Sequence, residues 1–187
     1  EPGTGFYSNR HCAGTWIDGE QHRWAEHLTF PAAPRYIRPD QGTVSLWAKT
    51  MFGDIEHPLF CVNQGWDIYL RMKLSGSVLE AQTADTSQRK RVEVNVGEWH
   101  HYVLTWSKDK STVYVDGEQV MTCEPKNVAK DQYAADRFYD QKFTVAMGHW
   151  NTGSGQVAVN GMVDECALFD RPLTAQEVQA LAAQKKA

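Results

Sequence analysis

The chain has 187 residues, enough for one well-filled core, and a net charge of -4 that offers no field to draw nucleic acid or an anionic membrane surface. Its seven Trp, seven Tyr, seven Phe and fourteen Gly favour an all-β body over a helical bundle. No apolar run approaches the roughly 18 residues that span a bilayer, so no membrane insertion is expected.

Residues 1–23 mix Gly, Ser, Asn, His and charge without a sustained period and read as an irregular lead-in, with Trp16-Ile17-Asp18-Gly19 a short strand and turn. The opening Glu1-Pro2-Gly3 carries no leader and reads as a piece excised from a larger protein. Ala25 to Phe30 and Arg35 to Arg38 form brief strands around Pro31 and Pro34, which remove ladder donors. From Thr43 to Lys49, alternation puts Val44 and Leu46 on one face and Thr43, Ser45 and Trp47 on the other.

His57 to Asn63 and Trp66 to Leu74 make a hairpin through Asn63-Gln64-Gly65, and Ser77 to Thr83 follows through Ser75-Gly76. Residues 84–91 are a polar, charged turn region, and Val92, Val94 and Val96 mark a half-exposed strand. In Trp99 to Trp106, Tyr102, Leu104 and Trp106 share one face while His101, Val103 and Thr105 share the other. Ser111 to Val115 then ends at Asp116-Gly117, a dipeptide that tolerates positive φ. A strand from Gln119 to Cys123 runs into the longest irregular segment, Glu124 to Gln141, which carries Tyr133, Phe138 and Tyr139.

Lys142 to Gly148 returns to strand, and His149 to Gly155 reads as a Gly-rich loop. Gln156 to Gly161 and Met162 to Asp170 complete the sheets, with Val163, Cys166 and Leu168 pointing inward. Thr174 and Glu177 form a capping box for a helix over residues 174–185, whose Val178 and Leu181 face one edge of the body as a lid. Strand and turn signals recurring about every ten residues indicate an all-β sandwich or jelly roll, in one domain over 1–187 that ends in a short C-terminal helix. Cys12, Cys61, Cys123 and Cys166 include no C-x-x-C pair, so zinc spacing is absent, and bridged and free states both stay open.

Several segments together resemble the laminin-G-like branch of the concanavalin A-like lectin/glucanase superfamily. They are TVSLWAK from Thr43, WHHYVLTW from Trp99, VYVDG from Val113, GMVDECALF from Gly161 and LTAQEV from Leu173. The resemblance covers roughly residues 25 to 181 and implies two curved antiparallel sheets. Cys166 departs from the family's usual Val and fits as a small buried hydrophobe.

The superfamily's glucanases carry an E-x-D-x-E run that aims two acids into one cleft, and this chain has none. Asp164 and Glu165, as strand neighbours, would face opposite ways. His100 and His101 are separated in the same manner, with His101 a hydrogen-bonded structural residue and His100 exposed. In related jelly rolls the Asp of the closing strand resembles a ligand for structural Ca²⁺, which points to Asp164, with Asp18 as a partner from the lead-in.

Trp47, Trp99 and Trp106 fall in the shared motifs and read as core. Ligand-binding candidates lie outside them: Trp66 after Gly65, then His149, Trp150 and Asn151, with Trp24, Tyr133 and Tyr139 behind. An aromatic face beside hydrogen-bonding groups suits a sugar ring, while loop aromatics folded back on the body are the plainer alternative. The expected function is a non-catalytic carbohydrate-binding module of a larger secreted, periplasmic or cell-surface protein that processes polysaccharide or adheres to it. Its partners are a polysaccharide or glycan and neighbouring domains of the parent protein. The alternatives are a protein-interaction domain that binds no sugar, and a jelly-roll lyase or hydrolase.

Overall fold

A computed structural model describes residues 6–8, 16–17, 20–21, 28–34, 37–53, 55–64, 67–84, 86–124, 138–139, 143–151, 156–159 and 161–184. The strands, in chain order, are β1 (Phe6–Ser8), β2 (Trp16–Ile17), β3 (Glu20–Gln21), β4 (Leu28–Pro31), β5 (Gln41–Thr50) and β6 (Glu56–Gln64). Next come β7 (Asp67–Ser75), β8 (Val78–Thr83), β9 (Thr86–Arg91), β10 (His100–Ser107), β11 (Ser111–Val115) and β12 (Glu118–Cys123). The last are β13 (Thr144–Met147), β14 (His149–Asn151), β15 (Gln156–Ala158) and β16 (Gly161–Phe169), followed by the helix Ala175–Ala182.

Two six-stranded antiparallel sheets make the jelly-roll sandwich: β1-β16-β5-β10-β11-β12 and β4-β13-β6-β7-β8-β9. The core lies between them. The first sheet sends in Val44, Leu46, Tyr102, Leu104, Trp106 and Val113; the second sends in Phe60, Val62, Leu70, Met72, Leu74 and Leu79. These are the period-2 apolar positions, and each large side chain moved out of water contributes about 2 kcal/mol. Gly42 is required beside Trp106, because a Cβ there would overlap the indole. The indole Nε1 donates to the Arg38 carbonyl at 3.0 Å.

The Asp116-Gly117 turn has φ of +51° and +85°, as its residues suggest. Asp116 also ties three strands together: its carboxylate accepts from the His101 N–H at 2.8 Å and lies 2.7 Å from His100 Nδ1. The other ring nitrogen, His100 Nε2, accepts from the Asn95 N–H at 3.0 Å. His100 is therefore half-buried and engaged rather than exposed.

Several segment expectations need correction. Residues 86–91, read as a turn, form β9, an edge strand on which both sides meet water, so it shows no apolar alternation. Val92 to Asn95, read as strand, is irregular, and Arg38 lies in no strand. His149 to Asn151, read as loop, forms β14 and pairs with β15. Trp47 is buried as expected, but on the outward side of β5, where its ring lies 5.1 Å from that of His101.

The helix has the expected Thr174–Glu177 capping box but ends at Ala182, so Lys185 and Lys186 fall past its last turn. It covers the outward face of β10 and β11 rather than an edge, with Val178 and Leu181 packed on Val103, Tyr114 and Leu173. Arg171 pairs with Glu177 at 2.6 Å, and that bond, with donation from Thr174, holds the Glu177 carboxyl down at about 2. Burial pushes the thiol of Cys61 up to about 12; Cys12 lies outside the described residues.

Between Asp164 and Ala167, β16 bulges, so that Glu165 and Cys166 together oppose Leu46 of β5. Glu165 takes φ of +48° and its N–H donates to Asp164 Oδ1 at 2.7 Å. Asp164 and Glu165 are thus not in regular alternation. The extra residue explains why Val163 and Cys166, three apart, both pack on the core.

Candidate ligand-binding face

The second sheet has an outward side that the helix does not cover. Because Leu70, Met72 and Leu74 point into the core, Arg71 and Lys73 of β7 point out. Register then places Lys73 opposite Glu80 of β8 and Glu80 opposite Arg89 of β9. Cys61 of β6 and Gln82 of β8 flank Arg71 in the adjacent row.

These side chains form a cross-strand ion network. Glu80 accepts from Arg71 Nη2 through one oxygen, and its other oxygen lies 2.6 Å from Arg89 Nε and 3.9 Å from Lys73 Nζ. Lys73 also donates to Glu56 of β6 at 2.5 Å. The side chains of Glu80 and Arg71 are only 5% and 13% exposed, whereas that of Arg89 is 70% exposed. Charges so far from water are retained when partners and hydrogen bonds offset desolvation, and here the shared carboxylate fixes the cations in place. Beside them, Gln82 Nε2 donates to the Ala84 carbonyl at 3.0 Å, which orients the amide. The result is a fixed array of planar hydrogen-bonding groups.

The first sheet's outward side is different. Thr43, Ser45, Trp47, His101, Val103 and Thr105 are all buried there. Ser45 Oγ and His101 Nε2 are 2.8 Å apart, and burial pushes the His101 imidazole down to about 4, against a smaller opposing pull from Asp116 and Glu165. A neutral imidazole beside a buried hydroxyl is a packing arrangement, in keeping with a hydrogen-bonded structural histidine.

Of the sites anticipated from sequence, Trp24, Trp66, Tyr133 and Asp18 lie outside the described residues. His149, Trp150 and Asn151 form β14, whose backbone packs beside β6; their side chains are likewise outside the description. Tyr139 is half-buried, edge-on to Phe138 at 5.4 Å, and its hydroxyl donates to the Ile37 carbonyl at 2.7 Å, which gives it an anchoring job. Asp164 accepts from the bulge, and among the described residues no three His, Cys, Asp or Glu side chains converge on a possible metal site. A calcium ion there would need backbone carbonyls beside Asp164. Arg71, Lys73, Glu80 and Arg89 were not anticipated. Their signal is present as Arg71-x-Lys73, Glu80-x-Gln82 and Arg89-x-Arg91, charged or amide side chains at alternate positions on three consecutive strands.

A family model for the concanavalin A-like lectin/glucanases superfamily matches residues 23–179. The chain belongs to this superfamily. No curated protein matches the sequence. Among solved structures, the carbohydrate-binding module CBM40 of the Ruminococcus gnavus IT-sialidase, bound to α2,3-sialyllactose, superposes with a TM-score of 0.62 at 14% identity over 76% of this chain and 82% of that one. A structure of botulinum neurotoxin type C, whose cell entry depends on interaction with two ganglioside molecules, gives 0.61 at 8% identity over 87% of this chain. The binding domain of botulinum neurotoxin DC, in complex with rat synaptotagmin II, gives 0.59 at 9% identity over 92% of this chain. The chain spans about two fifths of those toxin chains, 41% and 42%. At such identities the likeness is one of fold. Among the described residues no helix is long and apolar enough to cross a membrane.

Proposed function

We propose that the chain is a non-catalytic carbohydrate-binding module of a larger secreted or surface protein that processes polysaccharide or adheres to it. The observation that carries this reading is the outward side of β7 to β9, where charged and amide groups stand in fixed register and lead to an exposed Arg89 at the edge. Sugars are bound by such prearranged polar groups with an aromatic platform alongside. β14, which carries Trp150, belongs to the separate β14–β15 ribbon and packs beside β6. Trp66 and Trp150 are the proposed stacking residues. The superfamily and the CBM40 likeness support the same reading.

A glycan array with affinity gel electrophoresis tests it. Retention by a defined set of glycans is expected, weakened by Trp150→Ala and Trp66→Ala, with no cleavage products. Absence of retention by every glycan overturns the reading in favour of a protein-interaction domain, and released oligosaccharides overturn it in favour of an enzyme. Calcium at Asp164 is proposed as a structural ion, for which EDTA should lower the melting temperature; an unchanged value removes it.

A further inference from the structure

Resting on that reading, we infer that the outward face of β7 to β9 selects glycans bearing carboxylates, with Arg89 and Arg91 receiving the acid. Among the described residues on this face and its Glu56 flank, four cations (Arg71, Lys73, Arg89 and Arg91) meet two carboxylates (Glu80 and Glu56), in a chain whose net charge is -4. The local sign is therefore opposite to the global one. A ligand read by such a patch is a local anion, since an extended polyanion would meet repulsion from the rest of the molecule.

The geometry narrows the anion further. Glu80 is sandwiched between guanidiniums from β7 and β9, with its side chain only 5% exposed, so its charge is spent inside the face. The surplus stands at the edge strand, where Arg89 is 70% exposed and Arg91 is exposed. These two residues are i and i+2 on one strand, so they share a face about 7 Å apart. Arg89 is held through Nε at 2.6 Å from Glu80, while most of its side chain stays open to solvent. A guanidinium fork fits a carboxylate in two parallel hydrogen bonds, and a second fork one step along reaches the neighbouring substituents of the same ring. Charge at an edge strand also discourages sheet-to-sheet pairing, but that purpose needs no guanidinium anchored on a buried carboxylate.

The test is calorimetric titration of the full chain with sialyllactose and with a galacturonic acid oligosaccharide, each beside its carboxyl-reduced counterpart. At least one acidic sugar should bind about tenfold or more tightly than its reduced form, with a Kd that rises as NaCl is added. Arg89→Ala with Arg91→Ala should weaken the acidic sugar about tenfold and the reduced sugar by much less, in a protein that still unfolds in a single transition. Equal binding of acidic and reduced forms, or no effect of the double variant, overturns acid selection while leaving carbohydrate binding intact. Tighter binding of a sulfated glycan than of either carboxylated one overturns it as well. Failure of every glycan, neutral ones included, overturns this inference together with the reading beneath it.

Discussion

The two sheets are built from the same alternation and differ in what they turn outward. The first sheet exports Val103, Tyr114, Trp47 and His101, and the helix seals its β10 and β11 stretch with Val178 and Leu181. The second exports Arg71, Lys73, Glu80 and Arg89, which hold one another in place by ion pairing. One outer face is thus a second small core, and the other is a surface whose order comes from ion pairing. At the β9 edge, where Arg89 is exposed, groups ordered in advance by that pairing lose little freedom on binding.

Substitutions on the two faces should separate stability from binding. The largest effect is expected for Val178→Asp, which puts a carboxylate into the apolar seam under the helix and should cost about 4 kcal/mol in denaturant unfolding. A loss within 1 kcal/mol would mean that the helix merely rests on the sheet. Glu80→Gln should follow at about 3 kcal/mol, since it leaves Arg71, Lys73 and Arg89 facing each other around an uncharged amide. Near-wild-type stability there would show that the network is too hydrated to matter to the fold.

The first sheet should also impose a pH dependence. Burial holds the folded His101 pKa at about 4, below the ordinary 6.5, so the unfolded chain takes up this proton first as pH falls. Its contribution is fully present above pH 6.5 and is lost between about 6.5 and 4, up to about 3 kcal/mol. Wild type minus His101→Gln, measured by unfolding across that range, should show this slope; parallel curves would mean that water reaches the ring. The smallest stability effect belongs to Arg91→Ala on the charged edge, within about 0.5 kcal/mol. A larger loss would move Arg91 from the ligand side of the comparison to the structural side.

The fold was legible because its signals are local. Tyr102, Leu104 and Trp106 alternate with His101, Val103 and Thr105, Asp116-Gly117 permits one kind of turn, and Thr174 with Glu177 caps one helix. β9 escaped because an edge strand with charge on both sides has the composition of a loop, and only its partner Glu80 reveals it. The charged face escaped for a related reason. Arg71, Glu80 and Arg89 are far apart in sequence, and each alone is an ordinary solvent-facing charge; two hairpin registers are needed to stack them. An aromatic residue in a loop has the same composition whether it faces a ligand or anchors the chain, and Tyr139 is tied to the Ile37 carbonyl.

The bulge in β16 has a consequence for how this strand tolerates change in length. Loss of one residue from a paired strand ordinarily turns everything beyond it inside out. Here Asp164 stands opposite Trp47 and Ala167 opposite Ser45, so two residues share the single position facing Leu46. Removing Glu165 would leave Cys166 alone against Leu46, with Val163, Leu168 and Phe169 all on their present sides. It would also relieve a left-handed backbone that costs a non-glycine residue about 1 kcal/mol. Within β16, length is therefore negotiable at Glu165 and fixed at its neighbours: a chain lacking Glu165 should fold, and one lacking Ala167 should not.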